Sequence, residues 1–326
     1  NSGIIHSGIY YPKNTLKSML SKEGNKLIYE ISEKYGLNAK RTGKLIVATD
    51  DYEIEELEKI YKNGEENGIE GINLIESDEI KKIDKRINAK MGIYVPSTGI
   101  IDPVDLLNYF YSKSLKNNVN IALKTEVLNI EKKNDHYFLN GISVNERFSI
   151  RARYVINAAG LYSDKIASMV GIDILKYGYK LYYCKGDYYR ISGNASIKLP
   201  VYPIPDRYGL GIHITPDVYS TIRLGPNAYY VNKLDYNVET KKEIFINSVK
   251  KYFPSIVNYT IEEDFSGIRP KLQGPNDGFK DFIIRHEKDK ELFGFINLIG
   301  IESPGLTASP AIGKYVSEIL ENDIKN

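Results

Sequence analysis

Histidine is the side chain of this sequence whose ordinary pKa, about 6.5, suits proton transfer near neutral pH. There are four: His6, His136, His213 and His286. His136 lies in a predicted turn and His286 in a charged segment, RHEKDKE, so we expect both at the surface. His6 and His213 lie among isoleucines and glycines and are the candidates for a general base. A core histidine without a catalytic role would show the same pattern.

Arg269 is the candidate for binding a substrate carboxylate. It lies in the segment SGIRPKL, with Gly267 before it and Pro270 after it, which would hold its backbone in a defined turn. A guanidinium on a rigid support binds a carboxylate through two parallel hydrogen bonds. An ordinary surface arginine in a loop fits the spacing equally well, so both interpretations stay open.

Two segments of small residues each follow an apolar run and precede a predicted helix. The first is Ala158, Ala159 and Gly160, and the second runs from Gly300 through Gly305 to residue 310. Exposed amides at a helix N-terminus attract negative charge, and glycine lets a flat ring approach the backbone closely. These features suit cofactor contacts, although ordinary strand-to-helix turns use the same residue types.

Composition and missing motifs exclude several classes of function. The sequence lacks G-x-x-x-x-G-K-[ST], H-E-x-x-H and G-x-S-x-G, which argues against a P-loop nucleotidase, a zincin and an α/β-hydrolase. The dinucleotide fingerprint G-x-G-x-x-G is also absent. A net charge of +2 without basic clusters gives no support for a nucleic-acid partner. The single cysteine, Cys184, excludes an intramolecular disulfide and a cysteine-ligated metal, and no metal site is predicted.

Helices and strands must position these residues. The apolar spacing predicts helices over residues 14–35, 54–66 and 241–252, with another beginning at Pro103 behind a cap at Asp102 and turning Leu107 inward. Ser163 is the predicted cap of a further helix, and Pro310 is predicted near the first turn of the last one. Predicted strands cover residues 44–48, 118–124, 126–133 and 154–156, and a mostly antiparallel sheet is predicted between 177 and 227.

Nine segments, in one order along nearly the whole chain, resemble FAD-dependent oxidoreductases of the D-amino acid oxidase type. Within that superfamily the chain is most similar to the L-2-hydroxyglutarate dehydrogenase/oxidase family. The segments are 1–11 (NSGIIHSGIYY), 41–48 (RTGKLIVA), 98–103 (TGIIDP), 155–167 (VINAAGLYSDKIA), 185–189 (KGDYY), 209–215 (GLGIHIT), 223–228 (RLGPNA), 266–272 (SGIRPKL) and 302–313 (ESPGLTASPAIG). One such segment would be a weak signal, whereas nine in order are a strong one.

The resemblance implies an α/β fold, α+β overall, in which a doubly wound FAD-binding domain is interleaved with a substrate domain built on an antiparallel sheet. Residues 1–41, 94–175 and 265–326 would form the FAD-binding domain, and residues 42–93 and 176–264 the substrate or cover domain. FAD is the implied cofactor. Its implied contacts are Ser2, Gly3, Val127, Ala158, Ala159, Gly160, Gly300, Gly305, Leu306 and Thr307.

The family pattern also begins earlier than this chain does. It implies roughly 40 residues before Asn1 that hold the first strand of the βαβ unit, the G-x-G-x-x-G turn and a ribose-binding acid. That turn carries the FAD pyrophosphate at a helix N-terminus. We therefore expect the sequence to be a fragment of a longer protein and to bind FAD weakly without the preceding segment.

The implied activity is oxidation of a small L-2-hydroxy acid, L-2-hydroxyglutarate to 2-oxoglutarate, by hydride transfer to FAD. Arg269 would bind a carboxylate, His213 would act as the base and His6 would lie beside the flavin, with the two imidazole roles exchangeable. Alternatives are a glycine or D-amino acid oxidase, a glycerol-3-phosphate dehydrogenase, and a non-catalytic chain that does not bind FAD. The electron acceptor, oxygen or a quinone, stays open, as does the oligomeric state. A cytoplasmic location is expected, with peripheral contact to the inner face of the membrane left open.

Overall fold

The structure is a computed structural model that describes residues 1–193, 195–205 and 209–325. These residues form helices and strands in alternation along the chain. The helices are α1 (Leu16–Tyr35), α2 (Asp51–Glu66), α3 (Ser77–Ile83), α4 (Pro103–Lys116), α5 (Ser163–Met169), α6 (Lys242–Lys250) and α7 (Gly305–Ile324). No helix in the described parts of the chain combines the length and the apolar character needed to cross a membrane.

The strands range from two residues to twelve. They are β1 (Ile4–Ile5), β2 (Ala39–Lys40), β3 (Leu45–Ala48), β4 (Asn73–Glu76), β5 (Met91–Tyr94), β6 (Gly99–Ile101), β7 (Thr125–Lys133), β8 (His136–Ser143), β9 (Glu146–Ala152), β10 (Val155–Asn157), β11 (Tyr182–Ser192), β12 (Val201–Tyr202), β13 (Ile214–Pro216), β14 (Ile222–Leu224), β15 (Tyr229–Val231), β16 (Thr260–Lys271), β17 (Ile283–His286) and β18 (Phe295–Ile299).

The chain divides into two compact units. Unit 1 comprises Asn1–Leu106, Tyr183–Arg269 and Pro304–Ala311, and unit 2 comprises Leu107–Tyr182, Pro270–Ser303 and Ile312–Asn326. The chain therefore passes between the units several times, as two interleaved domains would require. Residues 1–41 cluster with residues 42–93 in unit 1. Which residues form an FAD domain and which a substrate domain stays a prediction.

Unit 1 is built on a large sheet with two differently covered faces. Its strand order is β15-β11-β14-β13-β12-β3-β5-β4, with β16 also paired to β11. The pairs are antiparallel except β12 with β3, which run parallel. Successive side chains of a strand face opposite sides, so Leu45 and Val47 join a core with Phe245 of α6. Ile46 on the other face packs with Leu57 of α2.

Unit 2 contains two smaller sheets. In one, β10 pairs parallel with β18, which pairs antiparallel with β17. In the other, β7, β8 and β9 form an antiparallel meander. Tyr137 and Phe295 of the unit 2 core are both fully buried, with ring centroids 5.5 Å apart. A mixed α/β fold with a mostly antiparallel sheet is what the sequence predicted.

Several predicted elements are confirmed and others are wrong. Helix α1 starts after Thr15, whose hydroxyl oxygen accepts a hydrogen bond from the Ser18 amide, and the carboxylate of Asp102 accepts one from the Val104 amide. The predicted strand at 118–124 is absent, because Asn118 and Lys124 have φ of 59° and 52°, outside the extended region. Leu107 is 66% exposed, so its predicted inward orientation is wrong.

The N-termini of α5 and α7 also differ from the predictions. Ser163 is the first residue of α5 and makes no side-chain cap, because a 3-10 turn over Gly160–Tyr162 leads into the helix. Helix α7 already begins at Gly305, which puts Pro310 at its sixth position. Proline removes one helical hydrogen bond. The Ser309 hydroxyl donates to the Leu306 carbonyl at 2.9 Å and satisfies the acceptor that Pro310 leaves free.

Candidate active site

The large sheet of unit 1 places a lysine, a tyrosine and a histidine side chain on the same face. Strands β3, β12 and β13 direct Leu45, Val201 and Ile214 into the core on the α6 side. Because side chains alternate, Lys44, Tyr202 and His213 lie on the opposite face. The rings of Tyr202 and His213 stack there, with centroids 4.0 Å apart and planes 7° from parallel.

The His213 imidazole is buried and held in one orientation. Its Nδ1 lies 2.9 Å from Oγ1 of Thr215, two residues along the chain and on the same face of the sheet. Burial lowers the pKa of His213 well below its usual value, and the charges of His6, Lys44 and Arg269 lower that pKa further. The imidazole is therefore neutral at physiological pH, which is the state that accepts a proton.

His6 lies in a loop that the first turn of α7 supports. Oγ1 of Thr307 accepts a hydrogen bond from the His6 amide at 3.0 Å and donates one to the Ile4 carbonyl at 3.1 Å. The Asn25 amide group of α1 donates to the His6 carbonyl at 2.9 Å. Burial, and then the charge of Lys44, lowers the pKa of His6 to about 3. Two residues singled out in the sequence, His6 and Thr307, are thus in contact although they are 301 positions apart.

Lys44 is the site residue that the sequence analysis missed. Its side chain is fully buried, and its Nζ lies 4.3 Å from the ring centroid of Tyr10 and 4.8 Å from that of Tyr202. No hydrogen-bond partner for Nζ is found in the described parts of the chain. Burial lowers the pKa of Lys44 to about 7. The available signal was a lysine at the head of the apolar run KLIVA, directly after a glycine.

That glycine fixes the backbone ahead of Lys44. Gly43 has a φ of 70°, and a Cβ there would lie 2.6 Å from the Tyr94 hydroxyl oxygen. Lys44 then exchanges backbone hydrogen bonds with Val95, at 3.1 Å and 2.9 Å. Glycine is required at this position because other residues disfavour positive φ and would clash with the tyrosine.

Arg269 is in the same unit and makes only weak contacts. Its Nη2 donates to the Asn227 carbonyl at 3.5 Å, and its Nη1 lies 3.8 Å from Sγ of Cys184. No ion pair to Arg269 is found among the described residues. Arg223, by contrast, pairs with Asp217 at 2.8 Å and Asp264 at 2.6 Å. We call His6, Lys44, His213 and Arg269 the basic cluster.

Ser2 and Gly3 lie at the edge of this region. The Ser2 side chain forms a hydrogen bond with the Tyr188 hydroxyl, and the positive charge of Arg269 acts on the same tyrosine. Gly3 has a φ of 66°, and a Cβ there would lie 2.5 Å from the Ile101 carbonyl oxygen. The start of the chain is thus packed closely enough to require glycine.

Gly305 and Leu306 begin α7 in unit 1, and the other predicted cofactor contacts belong to unit 2. Val127 is half-buried in β7. Ala158, Ala159 and Gly160 follow β10, and Gly300, with a φ of 72°, follows β18. Because β10 and β18 are parallel, both turns leave the same edge of their sheet, which is where ligands of such sheets bind. Asn157 and Asn297, paired in the two strands, join them through a side-chain hydrogen bond of 2.8 Å.

The other two histidines are not in the basic cluster. His136 begins β8 and is partly exposed. The side chain of His286 is only 8% exposed, its Nε2 accepts a hydrogen bond from the Gly294 amide, and its Nδ1 lies 3.7 Å from Asp323. The expectation that His286 lies at the surface is wrong, since its charged neighbours in sequence do not determine where its own ring packs.

Buried polar atoms without partners test whether a cofactor fits. In unit 1 they include Ser7 Oγ, Tyr10 OH, Lys44 Nζ and Thr98 Oγ1, with no partner among the described residues. Buried polar atoms are nearly always hydrogen-bonded in complete proteins. These donors and acceptors are therefore suited to a polar ligand such as a flavin with its substrate.

The fold matches that of a flavin-dependent oxidoreductase. A family model described as FAD dependent oxidoreductase matches residues 1–319. The chain belongs to this family, and FAD is the cofactor of the family.

Individual relatives act on different substrates. A mitochondrial L-2-hydroxyglutarate dehydrogenase of Arabidopsis thaliana is 31% identical over 361 residues, covering 97% of this chain and 74% of that protein. A glycerol 3-phosphate dehydrogenase of Caloramator mitchellensis is 32% identical over 332 residues, covering 100% of this chain and 66% of that one. The structure of L-alpha-glycerophosphate oxidase from Mycoplasma pneumoniae with FAD bound matches with a TM-score of 0.85 and 28% identity, covering 98% of this chain and 84% of that one.

Proposed function

We propose that the protein oxidises a small L-2-hydroxy acid, L-2-hydroxyglutarate, to its 2-oxo acid. The observation that carries the proposal is the basic cluster: a buried neutral imidazole, His213, near an arginine without an ion-pair partner among the described residues. A 2-hydroxy acid offers a hydroxyl proton to the first group and a carboxylate to the second. The Arabidopsis thaliana relative supports the choice of substrate.

Each residue has one role in this proposal. Arg269 binds and orients a substrate carboxylate through two parallel N–H donors. With Nδ1 of His213 donating to Thr215, Nε2 keeps the lone pair that accepts the hydroxyl proton. Thr215 is a positioning residue, because it fixes the tautomer and the ring without touching the substrate. His6 keeps its proposed place beside the flavin, and exchange of roles between the two imidazoles is an outcome of the test.

FAD, when bound, supplies the acceptor for the hydride that leaves the substrate Cα. The proposed contacts of FAD are those that the sequence indicated: Ser2, Gly3, Val127, Ala158, Ala159, Gly160, Gly300, Gly305, Leu306 and Thr307. The burial of His213 excludes water around its imidazole, and the lowered pKa values keep both imidazoles uncharged until the substrate proton arrives.

Oxidation of glycerol 3-phosphate is the second candidate. The Caloramator mitchellensis and Mycoplasma pneumoniae proteins support it, since both are named for this class of substrate. A phosphate is also an anion that Arg269 can bind bidentately. The two candidates differ at the group next to the reacting carbon, which is a carboxylate in one substrate and a hydroxymethyl or phosphoester carbon in the other.

Anaerobic reduction of the flavin separates the candidates. The FAD-loaded protein is mixed with L-2-hydroxyglutarate, glycerol 3-phosphate or glycine, and loss of flavin absorbance is followed. We expect bleaching with L-2-hydroxyglutarate and not with glycine. Bleaching only with glycerol 3-phosphate would select the second candidate. A chain that takes up no FAD would be the non-catalytic alternative.

His213→Ala tests the base. General-base removal lowers rates by roughly 10²–10⁴-fold, so we expect a loss of that order in the flavin reduction rate with the flavin spectrum unchanged. Because the His213 pKa lies well below its usual value, the wild-type rate should not fall as the pH decreases through 6.5. Unchanged reduction in His213→Ala, with a large loss in His6→Ala, would exchange the two roles.

A further inference from the structure

We propose that Lys44 is a proton-linked anion-binding group: its neutral amine takes up a proton from solvent when an anionic substrate or product enters the basic cluster. The inference rests on the proposed function for the charge of the ligand. The geometry behind it is a fully buried Nζ between the rings of Tyr10 and Tyr202, without a hydrogen-bond partner in the described residues.

Another buried lysine of unit 1 shows how a structural lysine is accommodated. The side chain of Lys185 is also fully buried, but its Nζ pairs with Glu239 at 3.0 Å and lies 5.9 Å from the Tyr229 ring centroid. A buried ammonium is costly unless it is paired. Lys185 meets this requirement and Lys44 does not, so a ligand is needed to supply the negative charge.

The groups that the structure describes around Lys44 are basic or neutral. Tyr10 and the Tyr202 ring cover Nζ, while Tyr94 on β5 packs against the preceding Gly43. His6 and His213 are close enough for their pKa values to respond to the lysine charge, and Arg269 acts on His213 as well. Among the described residues, no carboxylate contributes to the pKa of Lys44, and burial is the cause that lowers it. The region is therefore electropositive and attracts anions.

Proton uptake follows from these charges. A group with a pKa of about 7 is mostly an uncharged amine at about pH 8. An anion brought near Nζ favours the ammonium form and raises this pKa. Binding then transfers one proton from a buffer molecule to Nζ, and the lysine is left as an ammonium opposite the ligand charge. The Tyr10 and Tyr202 hydroxyls stay protonated throughout, because burial raises their pKa values.

The test is calorimetry of 2-oxoglutarate binding to the full chain with FAD added. Titrations at about pH 8 in buffers of different ionisation enthalpy give the number of protons taken up, which we expect to be close to one per ligand. The apparent dissociation constant should rise by about tenfold per pH unit above about pH 7.5. A parallel titration with glycerol 3-phosphate tests whether proton uptake accompanies anion binding even if 2-oxoglutarate is not the product.

Two variants assign the proton. In Lys44→Met we expect the uptake to vanish and the affinity for 2-oxoglutarate to fall by roughly tenfold or more, while the thermal unfolding temperature of the ligand-free protein rises. Lys185→Met is the matched control: it leaves Glu239 unpaired, so its unfolding temperature should fall while proton uptake persists. A purely structural role for Lys44 would not produce this opposite pair of changes.

Three results would overturn the inference. The first is binding of both anions with an enthalpy that does not depend on the buffer, and the second is proton uptake that persists in Lys44→Met. The third is that neither anion binds. If the proton uptake is lost in His213→Asn instead, the proton linkage belongs to that imidazole and not to Lys44. Failure of the proposed function is seen separately, because binding and proton uptake with 2-oxoglutarate do not require the flavin to be bleached by L-2-hydroxyglutarate.

Discussion

Two arginines of unit 1 differ in what their guanidinium groups contact. Arg223 is held by two carboxylates, those of Asp217 and Asp264, at 2.8 Å and 2.6 Å. In the described part of the chain, Arg269 contacts a carbonyl at 3.5 Å and a thiol sulfur at 3.8 Å. A partnered arginine stabilises the fold, whereas an arginine without an ion pair among the described residues is available to a ligand. Residue type alone made these two positions indistinguishable.

Arg269→Gln should weaken substrate binding without a comparable loss of stability. Hydrogen bonds to charged groups contribute about 1.5–3 kcal/mol, so we expect KM to rise by roughly ten- to a hundredfold. Arg223→Gln is the matched variant, and we expect it to lower the free energy of unfolding by roughly 1–3 kcal/mol because it leaves two carboxylates unpaired. Steady-state kinetics and denaturant unfolding of both variants are the measurements. A similar effect of both substitutions on stability alone would contradict the assignment.

At the scale of elements, α1 and the start of α7 approach each other at a glycine. A Cβ on Gly24 would lie 2.0 Å from the Thr307 carbonyl oxygen. Thr307 in turn supports the His6 loop through two hydrogen bonds. The close packing of these two helices therefore positions one imidazole of the basic cluster.

Gly24→Ala should destabilise the protein although alanine is the better helix former. Glycine to alanine inside a helix ordinarily stabilises by roughly 0.5–1 kcal/mol, but overpacking costs about 1–3 kcal/mol. Gly313→Ala in α7 is the control, because nothing lies within 4 Å of its Cβ position, and it should stabilise. Thermal unfolding of both variants compares the two effects. Equal stabilisation by both would show that α1 and α7 do not need this contact.

At the scale of the whole molecule, three bases of unit 1 make the stability of the folded protein depend on pH. The pKa values of His6, His213 and Lys44 are all lowered, with burial as the largest cause in each. The unfolded chain exposes these groups to water, where they regain their usual pKa values. It then binds more protons than the folded protein wherever the pH lies between the two values, so stability rises with pH in that range.

Stability should consequently rise with pH over two ranges. His6 gives the first range: its contribution to stability is present above pH 6.5 and is lost as the pH falls toward about 3. Lys44 gives the second range, in which stability rises from about pH 7 up to pH 10.5. Unfolding free energies measured at intervals of about one pH unit should show both slopes. His6→Asn should flatten the acid slope and Lys44→Met the alkaline one. A Lys44→Met curve parallel to wild type above pH 7 would mean that Lys44 is charged in the folded state.

The sequence by itself determined the family, the mixed α/β architecture and most helices, because these depend on motif order and on local apolar spacing. It also identified His6, His213 and Arg269 as candidates from residue type and nearby glycines, and the family resemblance pointed to Thr307. The tertiary structure alone decided that His6 contacts Thr307. It also decided that, among the described residues, Arg269 makes no ion pair and the buried Lys44 has no hydrogen-bond partner. A side chain's charge depends on desolvation and on residues far away in the chain, here positions 6, 44, 213 and 269. Local sequence encodes neither the desolvation of a side chain nor its distant neighbours.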